Sequence, residues 1–288
     1  MAAATADSVC SVGYALGSAR QQLSHNPAAA GEAEFLLAHV MGQPRSFVRA
    51  HAEDVLAPAL QQTYAALIER RVQGEPVAYL TGCCGFWSFD LMVTPAVLIP
   101  RPETELLVEQ ALARIPEDAS WQIADLGTGS GAIALAIAHE RPRCRIIATD
   151  VSVAALEVAR ANAVRLNIRN VDFRLGGWFD ALQGERFDMI VSNPPYVQDD
   201  DPHLPALRFE PTLALTAGVD GLRCLRDIAT RARGHFTPDG WLLLEHGYDQ
   251  GVVLACLLDD LGYASIQDYP DLANIPRLTV AQWVAPHA

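Results

Sequence analysis

The sequence predicts an α/β protein: a mostly parallel sheet with crossover helices, preceded by a small N-terminal helical domain. After Trp121, short β-branched runs alternate with helical stretches, the way right-handed crossovers between parallel strands read in sequence. A glycine-rich segment, Asp125-Leu126-Gly127-Thr128-Gly129-Ser130-Gly131, stands where the first of these runs passes into a helix, and a later run stops at Asn193-Pro194-Pro195-Tyr196. Residues 8–82 instead repeat apolar positions at three- and four-residue steps, the spacing of amphipathic helices.

Composition narrows the field. At 288 residues, half of them hydrophobic, the chain can bury one large core or two unequal ones. A formal net charge of −13 opposes a broad phosphate-neutralising surface, so no nucleic-acid substrate is expected and a basic protein partner is easier to accommodate. All 21 basic residues are Arg, from which no function follows. The six cysteines (Cys10, Cys83, Cys84, Cys144, Cys224, Cys256) include no C-x-x-C pair and no ligand spacing with His, so no metal is expected. Met1 to Ala6 lack the basic and apolar parts of a secretion signal, and runs such as Ala132 to Ala138 are too short to cross a bilayer. A cytoplasmic protein with reduced thiols and no membrane partner is the expectation.

In chain order, Val12, Leu16, Ala19 and Leu23 form the first helical stripe, with Ser8 placed to cap it. Ala33, Leu36, Leu37 and Val40 form a second, opened by Gly31-Glu32 and closed by Gly42; Leu60 to Arg71 form a longer one ending before Gly74 and Pro76. Between Tyr79 and Ile99, loosely alternating Phe86, Phe89, Leu91 and Val93 with Gly82, Gly85 and Pro95 predict a β-hairpin. The expected division is a helical domain over 1–78, a hairpin linker over 79–100 and an α/β domain over 101–288. The helical domain reads equally as a substrate-recognition cap or as a structural appendage. Thr104 or Arg101 is placed to start a helix through Leu112. Strands are predicted at 122–126, 145–149, 171–175, 187–191 and 241–245, and helices at 132–139, 154–167, 221–234 and 251–261. Two final β-like runs, 264–269 and 277–284, have no helix between them and should pair antiparallel at one edge.

The glycine segment suits a ligand that lies against backbone, because its glycines tolerate positive φ and the helix start offers free N–H groups and partial positive charge. Asp150, ending the next strand, can accept the hydroxyls of a ribose, which either NAD or S-adenosylmethionine carries. Asn193 decides between them. A strand ends there, the following prolines cannot donate to a ladder, and the carboxamide is held at the sheet edge where open α/β sheets bind ligands. Its oxygen and the Pro194 carbonyl offer two acceptors for a planar NH2 group, Tyr196 adds a flat face and a hydroxyl, and no proton relay for hydride chemistry stands nearby. The expected donor is therefore S-adenosylmethionine, the expected chemistry methyl transfer to an amide or exocyclic nitrogen.

On these residues the sequence resembles a known family. Asp125 to Gly131, Asp150, Ser192 to Tyr196, Leu242 to Gly247 (L-L-L-E-H-G), Leu98 to Glu105 (L-I-P-R-P-E-T-E) and Arg208 to Pro211 are similar to the bacterial peptide-chain release factor glutamine methyltransferases. The resemblance implies a seven-stranded Rossmann-like methyltransferase sheet with a hairpin-linked helical domain. It implies S-adenosylmethionine as donor and, as partner, class 1 peptide-chain release factors, methylated on the glutamine of their Gly-Gly-Gln loop. The cofactor residues so implied are Gly127, Thr128, Gly129, Ser130, Gly131, Asp150, Trp178 over the adenine face, and Asn193. The substrate residues are Asn193, Pro194, Pro195 and Tyr196, with Asn193, Pro194 and Tyr196 catalytic. Two glycines depart from the family: Gly177 stands where an acidic residue usually precedes Trp-Phe, and Gly85 where a Glu usually precedes Phe86-Trp87. Alternative substrates are a ribosomal-protein glutamine and an adenine in nucleic acid; a non-catalytic binding module would have no use for the glycine loop, Asp150 and Asn193 together.

Overall fold

In the computed structural model, which describes residues 10–284, the chain divides into two compact units between Gly82 and Cys83. The apolar stripes of the first unit become α1 (Val12–Gln22), α2 (Ala29–Met41), α3 (Arg45–Ala50), α4 (Pro58–Val72) and α5 (Val77–Thr81). Val12, Leu16, Ala19, Leu23, Leu36, Leu37 and Ile68 close its core. Ser11 caps α1, its side chain accepting the Tyr14 N–H at 3.2 Å; Ser8 lies outside the described residues. The second helix begins before Gly31 because the Asn26 carboxamide oxygen accepts the Ala28 N–H at 2.9 Å, and it ends at Gly42 in the left-handed conformation. The six-residue α3 is too short to show a periodic pattern; Pro44 precedes it.

The second unit opens with a hairpin, β1 (Cys83–Phe86) and β2 (Phe89–Met92). A 3-10 turn, Pro102–Thr104, leads into α6 (Glu105–Leu112), with no side-chain cap from Thr104. There follow β3 (Gln122–Leu126), α7 (Ala132–Glu140), β4 (Arg145–Asp150), α8 (Val153–Arg165), β5 (Val171–Leu175) and β6 (Phe187–Ser192). The chain ends with α9 (Arg223–Ala232), β7 (Phe236–Glu245), α10 (Gly251–Asp260), β8 (Tyr263–Pro270) and β9 (Pro276–Trp283). The seven-stranded sheet has the order β5-β4-β3-β6-β7-β9-β8, and only β9 pairs antiparallel, with β7 and with β8. No described helix is long and apolar enough to cross a membrane.

Alternation along the strands builds two cores. Ile123, Met189 and Leu243 pack with α6 and α7 on one face, while Ala124, Ile190 and Leu242 pack with α9 and α10 on the other. Three further elements differ from expectation. β7 begins at Phe236, five residues early, because Phe236 pairs with Phe187 across a register shift. α9 begins after Gly221, whose φ of 68° is incompatible with a helix. The hairpin is part of the second unit and not a free linker, since Phe86 and Leu91 share a core with Leu107 and Ile133, and Tyr79 and Leu80 belong to α5 of the first unit.

Asn162 of α8 ties the hairpin to the glycine loop. Its oxygen accepts the Met92 N–H at 2.7 Å, and its NH2 donates to the Met92 and Ser130 carbonyls at 3.0 and 2.9 Å. Asn162 itself is 1% exposed, and its bond to the Ser130 carbonyl is buried. Asn162→Ala should therefore cost roughly 1–3 kcal/mol for each polar group left unpaired, read as a lower urea midpoint with an unchanged m-value.

Candidate functional site

The site begins where β3 ends. Gly127, Gly129 and Gly131 have φ of 74°, 56° and 86°, and the Gly127 and Thr128 N–H groups both donate to the Thr149 carbonyl at 2.9 Å. These conformations strain any side-chain-bearing residue, which is why the turn is built from glycine. A Cβ on Gly127 would stand 3.2 Å from the Trp178 ring, so the indole rests against the loop. Trp178 itself has a φ of 48° and is held there by the Thr149 hydroxyl, which donates to its carbonyl at 3.1 Å. Asp125 beneath the loop is wholly buried. Its Oδ2 accepts the Thr128 hydroxyl at 2.6 Å and the Ala134 N–H at 3.2 Å, and its Oδ1 has no partner. Burial pushes its pKa up to about 7 despite those donors.

Asp150 ends β4 beside the loop. Oδ2 accepts the Gly129 N–H and Oδ1 the Ser152 N–H, each at 2.9 Å. The carboxylate is fixed in direction by these donors, and burial raises its pKa above the usual carboxylate range.

At the end of β6, the Ser192 hydroxyl donates to the Leu126 carbonyl at 2.7 Å, joining the two strand ends. Asn193 donates its NH2 to the Thr104 hydroxyl oxygen at 3.2 Å, which leaves the carboxamide oxygen as the end available to a ligand. Tyr196 departs from the sequence reading. Its hydroxyl is not offered at the cavity mouth but faces Glu245 at 3.4 Å, and burial raises its pKa.

A cavity of about 360 Å³ brings together Gly127, Thr128, Gly129, Ser130, Asp150, Trp178, Asn193 and Pro195, with Thr104, Leu98 and Pro100. Gly131, Pro194 and Tyr196 do not line it: Gly131 is the cap of α7, Pro194 is buried, and Tyr196 is turned towards β7. The size lies in the range of small-molecule sites, ~300–1,000 Å³. A glycine floor, an indole against it and a fixed carboxylate are a donor set that fits an adenosyl ligand. No described group of three His, Cys, Asp or Glu residues is arranged to hold a metal.

Three residues that were not among the expected site residues bear on this site. Thr104 holds Asn193. Glu210 pairs with Arg101 at 2.5 Å and accepts the Ile99 N–H at 3.1 Å, clamping the segment that carries Thr104. Glu245 ends β7 at 2% exposure, its Oε2 without a partner. The available signal was a carboxylate closing the apolar run Leu242-Leu243-Leu244. Of the departing glycines, Gly85 has open space around it, whereas a Cβ on Gly177 would stand 3.2 Å from an Asp180 oxygen, so an acidic side chain there would meet another carboxylate.

Family models match twice: the PrmC N-terminal domain over residues 15–82 and the methyltransferase small domain over 102–208. The chain is 50% identical over 253 residues to the release factor glutamine methyltransferase of Xylella fastidiosa (strain Temecula1), covering 87% of this chain and 92% of that one. It is 47% identical over 270 residues to the protein of the same name from Salmonella typhimurium, covering 93% and 97%. Among solved structures, a methyltransferase from Pyrococcus furiosus superposes with a TM-score of 0.53 at 20% identity, over 74% of this chain and 96% of that one. The T. thermophilus 16S rRNA N2 G1207 methyltransferase, in complex with AdoMet and guanosine, gives 0.51 at 19% identity, over 69% and 49%. Both are likenesses of fold.

The buried acid under the glycine loop makes stability depend on pH. With a pKa of about 7 folded against 3.8 for the ordinary side chain, native Asp125 keeps a proton that the unfolded chain has lost between those values. Its contribution is full below about pH 4 and is lost as pH rises through about 7. The ligand-free protein should unfold at lower urea at pH 8 than at pH 5, and Asp125→Asn should remove on the order of 1–3 kcal/mol of that difference.

Proposed function

Since the chain belongs to the release factor glutamine methyltransferases, we propose that it methylates the side-chain amide nitrogen of the glutamine in the Gly-Gly-Gln motif of class 1 peptide-chain release factors, with S-adenosylmethionine as donor. One observation carries the reading. Asn193 lines the same cavity as Asp150 and Trp178, with its NH2 held by Thr104 and its oxygen left over for a substrate N–H.

Asp150 would take the ribose hydroxyls, Trp178 would cover the adenine, and the backbone of Gly127 to Gly131 would lie under the remainder of the donor. Once bound, the donor supplies a methyl group on a positively charged sulfur. The Asn193 oxygen, which lines the cavity, would accept one amide proton, orienting the glutamine amide and favouring positive charge on its nitrogen, whereas Pro194, whose carbonyl the sequence offers as the second acceptor, does not line it. A delocalised amide lone pair is a poor nucleophile, so positioning carries most of the acceleration, up to ~7–11 kcal/mol in the best cases. No general base is required, because the nitrogen-bound proton turns acidic as the N–C bond forms. The first unit, residues 1–82, is proposed to recognise the protein partner, because every residue lining the cavity lies in the second unit.

Incubation with labelled donor and a panel of release factor, ribosomal proteins and DNA tests the substrate, with mass mapping of the modified residue; label on DNA or on a non-glutamine residue defeats the reading. Asp150→Ala should weaken donor binding by at least about tenfold in calorimetry, because a charged acceptor is lost. Asn193→Ala should slow single-turnover transfer ~10²–10³-fold while donor affinity changes far less. Asn193→Asp keeps an acceptor but cannot donate to Thr104, so it should recover little of what Ala loses.

A further inference from the structure

Register places Glu245 beside Asn193. β6 and β7 are parallel, with Ser192 opposite Leu244, so the next residue of each, Asn193 and Glu245, fall on the same face of the sheet edge. Two hydroxyls lie around the Glu245 carboxyl. Tyr196 donates to Oε1 at 3.4 Å, and the Thr104 hydroxyl is near enough to favour the charged form. Burial nevertheless raises the Glu245 pKa to about 7, helped by Glu103 and opposed by Arg277. The group is thus an acidic side chain at 2% exposure with one oxygen still unpartnered, a costly arrangement for a protein with no use for it.

Hydrogen-bond direction supplies the use. Thr104 accepts the Asn193 NH2, so its own proton must point elsewhere, and the acceptor close by is Glu245. An acceptor at 245 keeps Thr104 donating inward and accepting from Asn193. A donor at 245 would permit the reverse, with Thr104 donating to Asn193 and the carboxamide turned over. We propose that Glu245 is a positioning residue which, through the Thr104 hydroxyl, fixes the Asn193 carboxamide with its oxygen towards the substrate.

The inference rests on the methyl-transfer reading, and the test separates the two. Labelled transfer to release factor by the wild-type protein decides that reading, and the variants are scored against it. Glu245→Gln should lower kcat roughly 10–100-fold, because a misaimed acceptor loses near-attack geometry, with donor affinity within about twofold of wild type. Thr104→Val should show the same loss, Thr104→Ser should exceed Val by at least about tenfold, and the double variant Thr104→Val/Glu245→Gln should be no slower than Thr104→Val alone. Independent of any substrate, the Asn193 side-chain NH2 signals of 15N-labelled ligand-free protein, assigned by their loss in Asn193→Asp, should move in Thr104→Val and in Glu245→Gln. Should Glu245→Gln not fold, the Thr104 variants decide alone. Additive losses, a Ser variant as slow as Val, or unmoved NH2 signals would each overturn the proposal.

Discussion

The register of four parallel strands is the constraint on which the site depends. Leu126 lies opposite Thr149, Asp125 opposite Val191, and Ser192 opposite Leu244, so β4, β3, β6 and β7 end together along one edge. That edge carries Asp150, the glycine loop, Asn193 and Glu245. A slip of one residue would send each side chain to the other face and put Ile123, Met189 and Leu243 into the wrong core, so apolar packing on both faces also fixes the chemistry.

Two buried carboxylates stand out within this edge. Asp125 and Glu245 are each pushed to about 7 by burial, and each keeps one oxygen without a partner. Their surroundings explain why they are tolerated: Asp125 accepts from Thr128 and Ala134 and so fixes the glycine turn from below, while Glu245 stands between Tyr196 and Thr104. Local stability is sacrificed so that backbone and side chains above them have a single arrangement.

Segments far apart in sequence are drawn to the same edge by polar bonds. Asn162 joins β2 to the glycine loop, Glu105 accepts the Trp87 N–H at 2.7 Å, and Glu210 holds Arg101 and Ile99. The hairpin and the L-I-P-R-P-E-T-E segment are therefore braces of the cavity wall.

Much of this was legible in the sequence. Alternation of β-branched runs with helical stretches, the Asp125 to Gly131 turn, Asp150 and Asn193-Pro194 are local signals, because glycine φ, proline's missing N–H and side-chain period act within a few residues. They determined the fold class, the antiparallel final pair and some of the residues that line the cavity, among them Gly127, Asp150 and Asn193. What only the tertiary structure decided was partnership. That Thr104 holds Asn193 across 89 positions and that Tyr196 turns to Glu245 and does not line the cavity depend on which atoms meet once the strands are in register. A hydroxyl or carboxylate carries no mark of its distant partner in the chain around it, since hydrogen bonding is set by distance and direction in space.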